Sequence, residues 1–166
     1  MSAPERTLLV AAAYVALRRR DKVLLQLRQG TGYMDGYWCL LAGHVDLGES
    51  VVDAAVREVR EESGVRVAAE DLEPLTTLHR FEPGGPPVEQ RCDVFFEAWR
   101  WSGSPRLAEP DKASAMAWFP LDALPDVVPH ERLVLDHLAR GTRPPALLVV
   151  RLDPPPDRYP SPAAPS

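Results

Sequence analysis

Residues 43–65 read GHVDLGESVVDAAVREVREESGV, and this pattern predicts a loop followed by an α-helix. Ser50 is a favourable N-cap residue, and Asp53 places negative charge in the first turn, where the helix dipole favours it. Gly64 is a natural point for the helix to end. An apolar stripe at i, i+3, i+4 and i+8 predicts packing of the helix on a sheet, through Val51, Ala54, Ala55 and Val59.

Three carboxylates form a second stripe on the predicted helix, at Glu58, Glu61 and Glu62. Their spacing is i, i+3 and i+4, so like charges are crowded onto one flank and weaken the helix. Arg57 and Arg60 can relieve part of this repulsion, since Arg57 lies four residues before Glu61, but we place neither on that flank. A divalent cation such as Mg²⁺, which binds carboxylates and substrate phosphates, explains the cluster better. The alternative is an acidic helix face exposed to solvent.

The whole stretch resembles the signature of the Nudix hydrolases. That signature reads Gly, five residues, Glu, seven residues, Arg-Glu, an aliphatic residue, any residue, Glu-Glu, any residue, Gly and an aliphatic residue. Every fixed place is matched here, by Gly43, Glu49, Arg57, Glu58, Val59, Glu61, Glu62, Gly64 and Val65. The resemblance implies an α+β fold, the Nudix-type α-β-α sandwich with a mixed β-sheet, and an enzyme that hydrolyses a phosphorus anhydride.

The resemblance also implies the roles of the site residues. The catalytic residues are expected to be Glu58, Glu61 and Glu62, with Glu58 and Glu62 as the principal Mg²⁺ ligands and Mn²⁺ as a substitute ion. Glu61 is a further ligand or the general base, and the Gly43 carbonyl also approaches the metal. Glu49 is expected to pair with Arg57 and to support the site structurally.

Substrate choice is less clearly encoded. In the family, a proline or a tyrosine about 15 to 17 residues after the signature marks ADP-ribose or dinucleoside-polyphosphate members, and residues 80–82 here are Arg, Phe and Glu. The segments at 101–105, 109–112 and 118–119 look like those of small nucleoside triphosphate pyrophosphohydrolases. We therefore expect a nucleoside triphosphate, normal or oxidised, to be split to monophosphate and pyrophosphate. The alternatives are an ADP-ribose or nucleotide-sugar pyrophosphatase, and a non-catalytic nucleotide-binding sensor.

Composition sets the wider context. The 166 residues suit one Nudix domain at 1–152, and residues 153–166 form a proline-rich tail that we expect to be disordered. A net charge of −5 argues against a protein that coats nucleic acid. Two cysteines make no disulfide framework, and the apolar run near the N-terminus is too short to cross a membrane. We expect a cytoplasmic enzyme that acts on a small-molecule, nucleoside diphosphate-linked substrate and has no nucleic acid or membrane partner. The sequence is compatible with a homodimer as well as with a monomer.

The remaining elements follow from local patterns. Strands are predicted at 7–18, 22–28, 38–41, 72–81, 91–101, 115–119 and 147–152. A second helix is predicted at 129–140, docking through Leu133, Leu135, Leu138 and Ala139. Arg18 to Arg20 is interpreted as a solvated turn, Trp38 as a core residue rather than a base-stacking one, and His44 as a hydrogen-bonding rather than a catalytic residue.

Overall fold

The computed structural model describes residues 5–152, so the proline-rich tail at 153–166 lies outside the described residues. Eight strands run β1 Val10–Arg19, β2 Lys22–Arg28, β3 Trp38–Cys39, β4 Leu41–His44, β5 Glu73–Phe81, β6 Arg91–Ala98, β7 Ala113–Pro120 and β8 Leu147–Arg151. Two α-helices span α1 Val51–Ser63 and α2 Pro129–Ala139. Within 5–152 no helix is long and apolar enough to cross a membrane.

The strands form a mixed sheet, as predicted. The central strand β1 runs parallel to β6 and antiparallel to β4, and β5 joins β6 antiparallel and β8 parallel. The hairpin from β1 to β2 leads to a second group of strands, in which β2 pairs with β3 and β7. The predicted single strand at 38–41 is wrong in detail, because Leu40 separates β3, which pairs with β2, from β4, which pairs with β1.

Alternate residues of β1 point into two separate cores. One core holds Ala13, Val15 and Leu17 against α1, and the other holds Ala12, Tyr14 and Ala16 against α2. A strand covered on both faces requires a continuous apolar run, which explains why residues 10–17 contain no charged side chain. The result is a helix on each side of the sheet, the predicted α+β sandwich.

Helix α1 is built as its sequence predicts. Ser50 caps the helix by accepting the Asp53 N–H at 3.1 Å, and the Asp53 carboxylate accepts the Ser50 N–H at 2.9 Å. Gly64 ends the helix with a φ of 73°, a left-handed conformation that glycine adopts readily. The predicted apolar stripe packs on the sheet, with Ala54, Ala55 and Val59 fully buried.

Helix α2 buries a different face from the one that the sequence predicts. Leu135 is buried and Leu138 packs at the edge of the core, but Leu133 is 45% exposed and Val134 takes a fully buried position. The buried positions 131, 134 and 135 follow the i, i+3, i+4 rule, which excludes residue 133. Glu131 belongs to this buried face, so α2 brings a carboxyl group into the core.

Candidate functional site

The signature residues meet where β4 passes along α1. Gly43 and His44 were predicted to begin a loop, but they form the last two residues of β4, and the loop starts at Val45. Gly43 pairs with Ala13 of the central strand, so the backbone of the signature is fixed in the sheet. Helix α1 packs against both strands and carries its glutamates beside this fixed backbone.

Glu62 is the most enclosed of the three glutamates, with 8% of its surface exposed. Its Oε2 accepts the Ala42 N–H at 2.8 Å, which ties the carboxylate to β4 next to Gly43. Burial, together with the nearby Glu58 charge, raises the pKa of Glu62 to about 8, while the hydrogen bond from Ala42 acts in the opposite direction. A buried carboxylate of this kind gains strongly when a cation binds beside it.

Glu58 lies directly over Gly43. A Cβ atom placed on Gly43 would lie 1.9 Å from Glu58 Oε1, so only glycine leaves room for the carboxylate at this place. Burial raises the pKa of Glu58, while the adjacent Arg57 opposes that shift. The two groups predicted to bind metal together, the Glu58 carboxylate and the Gly43 backbone, are thus in contact.

Arg57 lies among the carboxylates, contrary to its predicted position off their flank. Its guanidinium bonds both oxygens of Glu49 at 2.8 Å, which is the pairing that the resemblance implies. Its Nη1 also reaches Glu58 at 2.6 Å and Glu61 at 3.2 Å. The reason is the length of the side chain, which crosses from its own flank to a neighbouring one. Arg57 lowers the pKa of Glu49 to about 2 through these hydrogen bonds.

Glu61 stands apart from the inner pair. Its side chain is 50% exposed and turns towards a groove of about 700 Å³ on the outer side of α1, which Val56 and Arg60 also line. Between residues 5 and 152, no three His, Cys, Asp or Glu side chains converge closely enough to hold a metal ion. The structure therefore brings Glu58 and Glu62 to the Gly43 backbone and leaves Glu61 at the rim.

His44 contacts two arginines, Arg57 through its carbonyl and Arg91 through its ring, in line with its predicted hydrogen-bonding role. Its carbonyl accepts from Arg57 at 3.0 Å, and its Nε2 lies 2.7 Å from Arg91 Nη1. Since a guanidinium can only donate, the imidazole accepts at Nε2 and is neutral. Burial, followed by the Arg91 charge, lowers the pKa of His44.

Sequence reasoning missed a second polar group behind this site. Arg80 of β5 and Arg91 of β6 are cross-strand partners, and both bond the fully buried Asp93. In the predicted strand at 91–101, Cys92, Val94, Phe96 and Ala98 alternate onto one apolar face, and the pattern does not indicate what the other face contacts. The spacing of Arg91 and Asp93, two residues apart on one face of a strand, could have indicated an ion pair. The second partner, Arg80, lies in another strand and could not be found in this way.

Trp38 is a packing residue, as predicted. Its ring meets that of Phe119 edge to face, with 4.6 Å between the ring centres, and it borders the core that contains Tyr14 and Leu135. This aromatic therefore helps to join β3 to β7.

A family model for the NUDIX domain matches residues 7–138. The NAD-capped RNA hydrolase NudC of Pseudomonas aeruginosa is 36% identical over 124 residues, which is 75% of this chain and 40% of that protein. The chain thus spans less than half the length of this curated relative.

Solved structures resemble the chain over most of its length. The MutT NUDIX hydrolase of Burkholderia pseudomallei matches with a TM-score of 0.70 and 29% identity, over 78% of this chain and 97% of that one. A NUDIX hydrolase of Nitrosomonas europaea matches with a TM-score of 0.69 and 19% identity, over 89% and 82% of the two chains. These similarities confirm the expected fold.

Proposed function

The chain belongs to the Nudix hydrolase family, and from this premise we propose that it hydrolyses the diphosphate bond of a nucleoside triphosphate, normal or oxidised, to a monophosphate and pyrophosphate. The observation that carries the proposal is the convergence of Glu58 and Glu62 on the Gly43 backbone. This arrangement gathers oxygen donors at one end of β4, where a charged diphosphate needs a counterion.

The donor set fits Mg²⁺, with Mn²⁺ as a substitute. Carboxylate and carbonyl oxygens are the ligands that hard divalent cations prefer, and these residues offer no sulfur or imidazole ligand to compete. Glu62 and Glu58 would hold the ion with the Gly43 carbonyl, and Glu61 is the further candidate at the rim. The raised pKa values of the buried Glu62 and the half-buried Glu58 support this assignment, because a bound cation would offset their charge.

A bound divalent ion supplies Lewis-acid neutralisation of the phosphate oxygens. The protein holds the groups around that ion in fixed positions. Glu49 fixes Arg57 by two hydrogen bonds, Arg57 fixes the His44 carbonyl, and β4 fixes Gly43. Hydrolysis forms one bond from water oxygen to phosphorus and breaks one bond to the leaving pyrophosphate, while a carboxylate of the glutamate group accepts the proton from water.

A second candidate function is cleavage of a dinucleotide diphosphate of the NAD or ADP-ribose type. It is favoured by the similarity to NudC, whose name describes hydrolysis of NAD-capped RNA. If the substrate were a capped RNA, the chain would have to bind a nucleic acid. Its net charge of −5 is unfavourable for RNA binding, because RNA is itself negatively charged. A non-catalytic sensor is the third alternative, but Glu58, Glu61 and Glu62 are all retained.

Product analysis on a substrate panel tests the proposal. The panel contains nucleoside triphosphates, their oxidised forms, ADP-ribose, NAD and an NAD-capped oligonucleotide, each with Mg²⁺, with Mn²⁺ and with chelator. We expect monophosphate and pyrophosphate from a triphosphate, and no turnover in chelator. Faster release of monophosphates from NAD or ADP-ribose would select the second function, and tight binding without any turnover would select the sensor.

A further inference from the structure

The ammonium group of Lys112 lies close to the glutamates of α1 and has no part in the proposed chemistry. Lys112 ends the connection from β6 to β7, which passes the last turn of α1. The backbone of this connection is fixed to the helix, because the Glu62 carbonyl accepts the Ala108 N–H at 3.2 Å and the Ser63 carbonyl accepts the Arg106 N–H at 3.0 Å. The connection therefore borders the end of α1 that carries Glu62.

The backbone of Lys112 is held, while its ammonium group can move. The Lys112 carbonyl accepts the Gln29 N–H at 2.9 Å, and the Lys112 N–H donates to the Glu109 carbonyl at 3.1 Å. The side chain is 64% exposed, and it bonds the Glu109 carboxylate at 2.9 Å. An exposed ion pair three residues apart contributes little to stability, so the ammonium group can leave Glu109 without damage to the fold. A mobile charge is thus attached at a fixed point of the backbone.

This charge acts on both of the inner glutamates, Glu58 and Glu62. Burial raises the pKa of Glu58, and the charges of Arg57 and Lys112 oppose that shift. The hydrogen bond with Glu109, together with the charges of the two glutamates, raises the pKa of Lys112. Water and salt screen exposed charges from one another beyond about 10 Å. Lys112 therefore faces the two carboxylates that we propose to hold the metal.

The guanidinium of Arg57 has no donor left for a substrate. It carries five N–H groups. Between residues 5 and 152 all of them are accepted by neighbours, namely Glu49 twice and His44, Glu58 and Glu61 once each. The ammonium group of Lys112 carries three N–H groups, and Glu109 is the one acceptor that it has within the same range of residues. Charged donors for an anion beside the glutamates therefore remain on Lys112.

We propose that Lys112 is a substrate-binding residue, which releases Glu109 and donates to a phosphate oxygen of the diphosphate bound at the glutamates. A hydrogen bond that joins an ammonium group to a phosphate oxygen is strong, because both partners are charged. This inference rests on the proposed function only in requiring a diphosphate, and it applies to a nucleoside triphosphate and to ADP-ribose alike. The same positive charge has opposite effects on two ligands, since it attracts the phosphate and repels a Mg²⁺ ion.

Calorimetry on the full chain tests this role without turnover, with methylenediphosphonate as a diphosphate analogue that is not hydrolysed. Lys112→Gln should weaken binding of the analogue in saturating Mg²⁺ about tenfold, the size of one lost charged hydrogen bond. The same variant should bind Mg²⁺ alone several-fold more tightly, because a positive charge beside the carboxylates is removed. Damage to the fold would weaken both ligands, so the opposite signs exclude it. Unchanged affinity for the analogue would overturn the inference.

Two further variants control for net charge and for the length of the side chain. Lys22→Gln removes the same charge from an exposed lysine at the hairpin end of β2, and it should leave both affinities unchanged. Lys112→Arg keeps the charge and should retain most of the affinity for the analogue. All three variants should melt close to the parent temperature, since both lysines are exposed. Equal weakening of analogue binding by Lys22→Gln would overturn the inference, because net charge would then explain the effect.

Steady-state kinetics in Mg²⁺ separate this inference from the proposed function. Lys112→Gln should raise KM about tenfold for whichever diphosphate is hydrolysed, with kcat nearly constant, because the bond is present in the substrate complex as well as in the transition state. A fall in kcat without a change in KM would overturn the binding role. If no triphosphate is hydrolysed but the analogue still binds through Lys112, the proposed function fails and this inference stands. If triphosphates are hydrolysed and Lys112→Gln behaves like the parent, the inference fails and the function stands.

Discussion

The carboxylate of Glu58 occupies the space that a side chain on Gly43 would fill, since a Cβ there would lie 1.9 Å from Oε1. The glycine is thus required by close approach rather than by an unusual backbone angle. Gly43 lies in a regular strand, where most residues would otherwise be tolerated. This contact links the first and the middle residues of the signature through space.

Gly43→Ala is expected to damage catalysis more than stability. The added methyl group must push the flexible end of Glu58 aside, which a side chain does at small cost to the fold, but the carboxylate then leaves the Gly43 backbone. We predict a loss in kcat of about two powers of ten, equivalent to about 3 kcal/mol, with a melting temperature close to that of the parent. A variant with full activity would show that Glu58 works from another position.

Glu131→Gln is expected to change how stability depends on pH. Burial raises the pKa of Glu131 from 4.5 to about 8 in the folded chain. Its stabilising contribution is therefore complete below pH 4.5, where both states are protonated, and is lost as pH rises towards 8. The glutamine is neutral throughout and keeps an acceptor for the Leu40 N–H.

Urea unfolding of both proteins between pH 4.5 and 9 measures this effect. The free energy of unfolding of the parent should fall relative to the variant by about 4 kcal/mol across that range. A constant difference between the two curves would mean that Glu131 is ionised in the folded chain at neutral pH.

Removal of residues 153–166 is expected to leave turnover and melting temperature nearly unchanged. The segment has six prolines among residues 154–166 and few apolar residues to repay the entropy of ordering. Thermal melts and steady-state rates of the shortened and full chains make the comparison. Collapse of activity on truncation would show that the tail takes part in the site.

Local rules explain how much of this fold the sequence reveals. The cap at Ser50, the end at Gly64 and the stripe containing Val59 depend on neighbours within a few residues, and all three are as predicted. Spacing along the helix also accounts for the contact of Arg57 with Glu61, four residues on, but the contact with Glu58 depends on how far one long side chain reaches.

Residues that depend on distant partners were harder to predict. Arg18 was interpreted as part of a solvated turn, but it is 8% exposed because Glu97, on a neighbouring strand, pairs with it. Arg80 and Asp93 likewise become a cluster only when β5 and β6 pair and α2 covers them. The signature therefore predicts the residues that we propose to hold a metal, while the buried ion pairs of β5 and β6 are set by strand pairing.

The most direct test of the account compares Glu62→Gln with Glu49→Gln across a Mg²⁺ titration. The first variant keeps an acceptor for Ala42 but loses the charge assigned to the metal, whereas the second weakens only the pairing with Arg57. We predict that Glu62→Gln lowers kcat by two to four powers of ten, about 3 to 5 kcal/mol, and needs more Mg²⁺, while Glu49→Gln loses much less. Near-native turnover of Glu62→Gln at low Mg²⁺ would contradict the assignment of the metal to this glutamate.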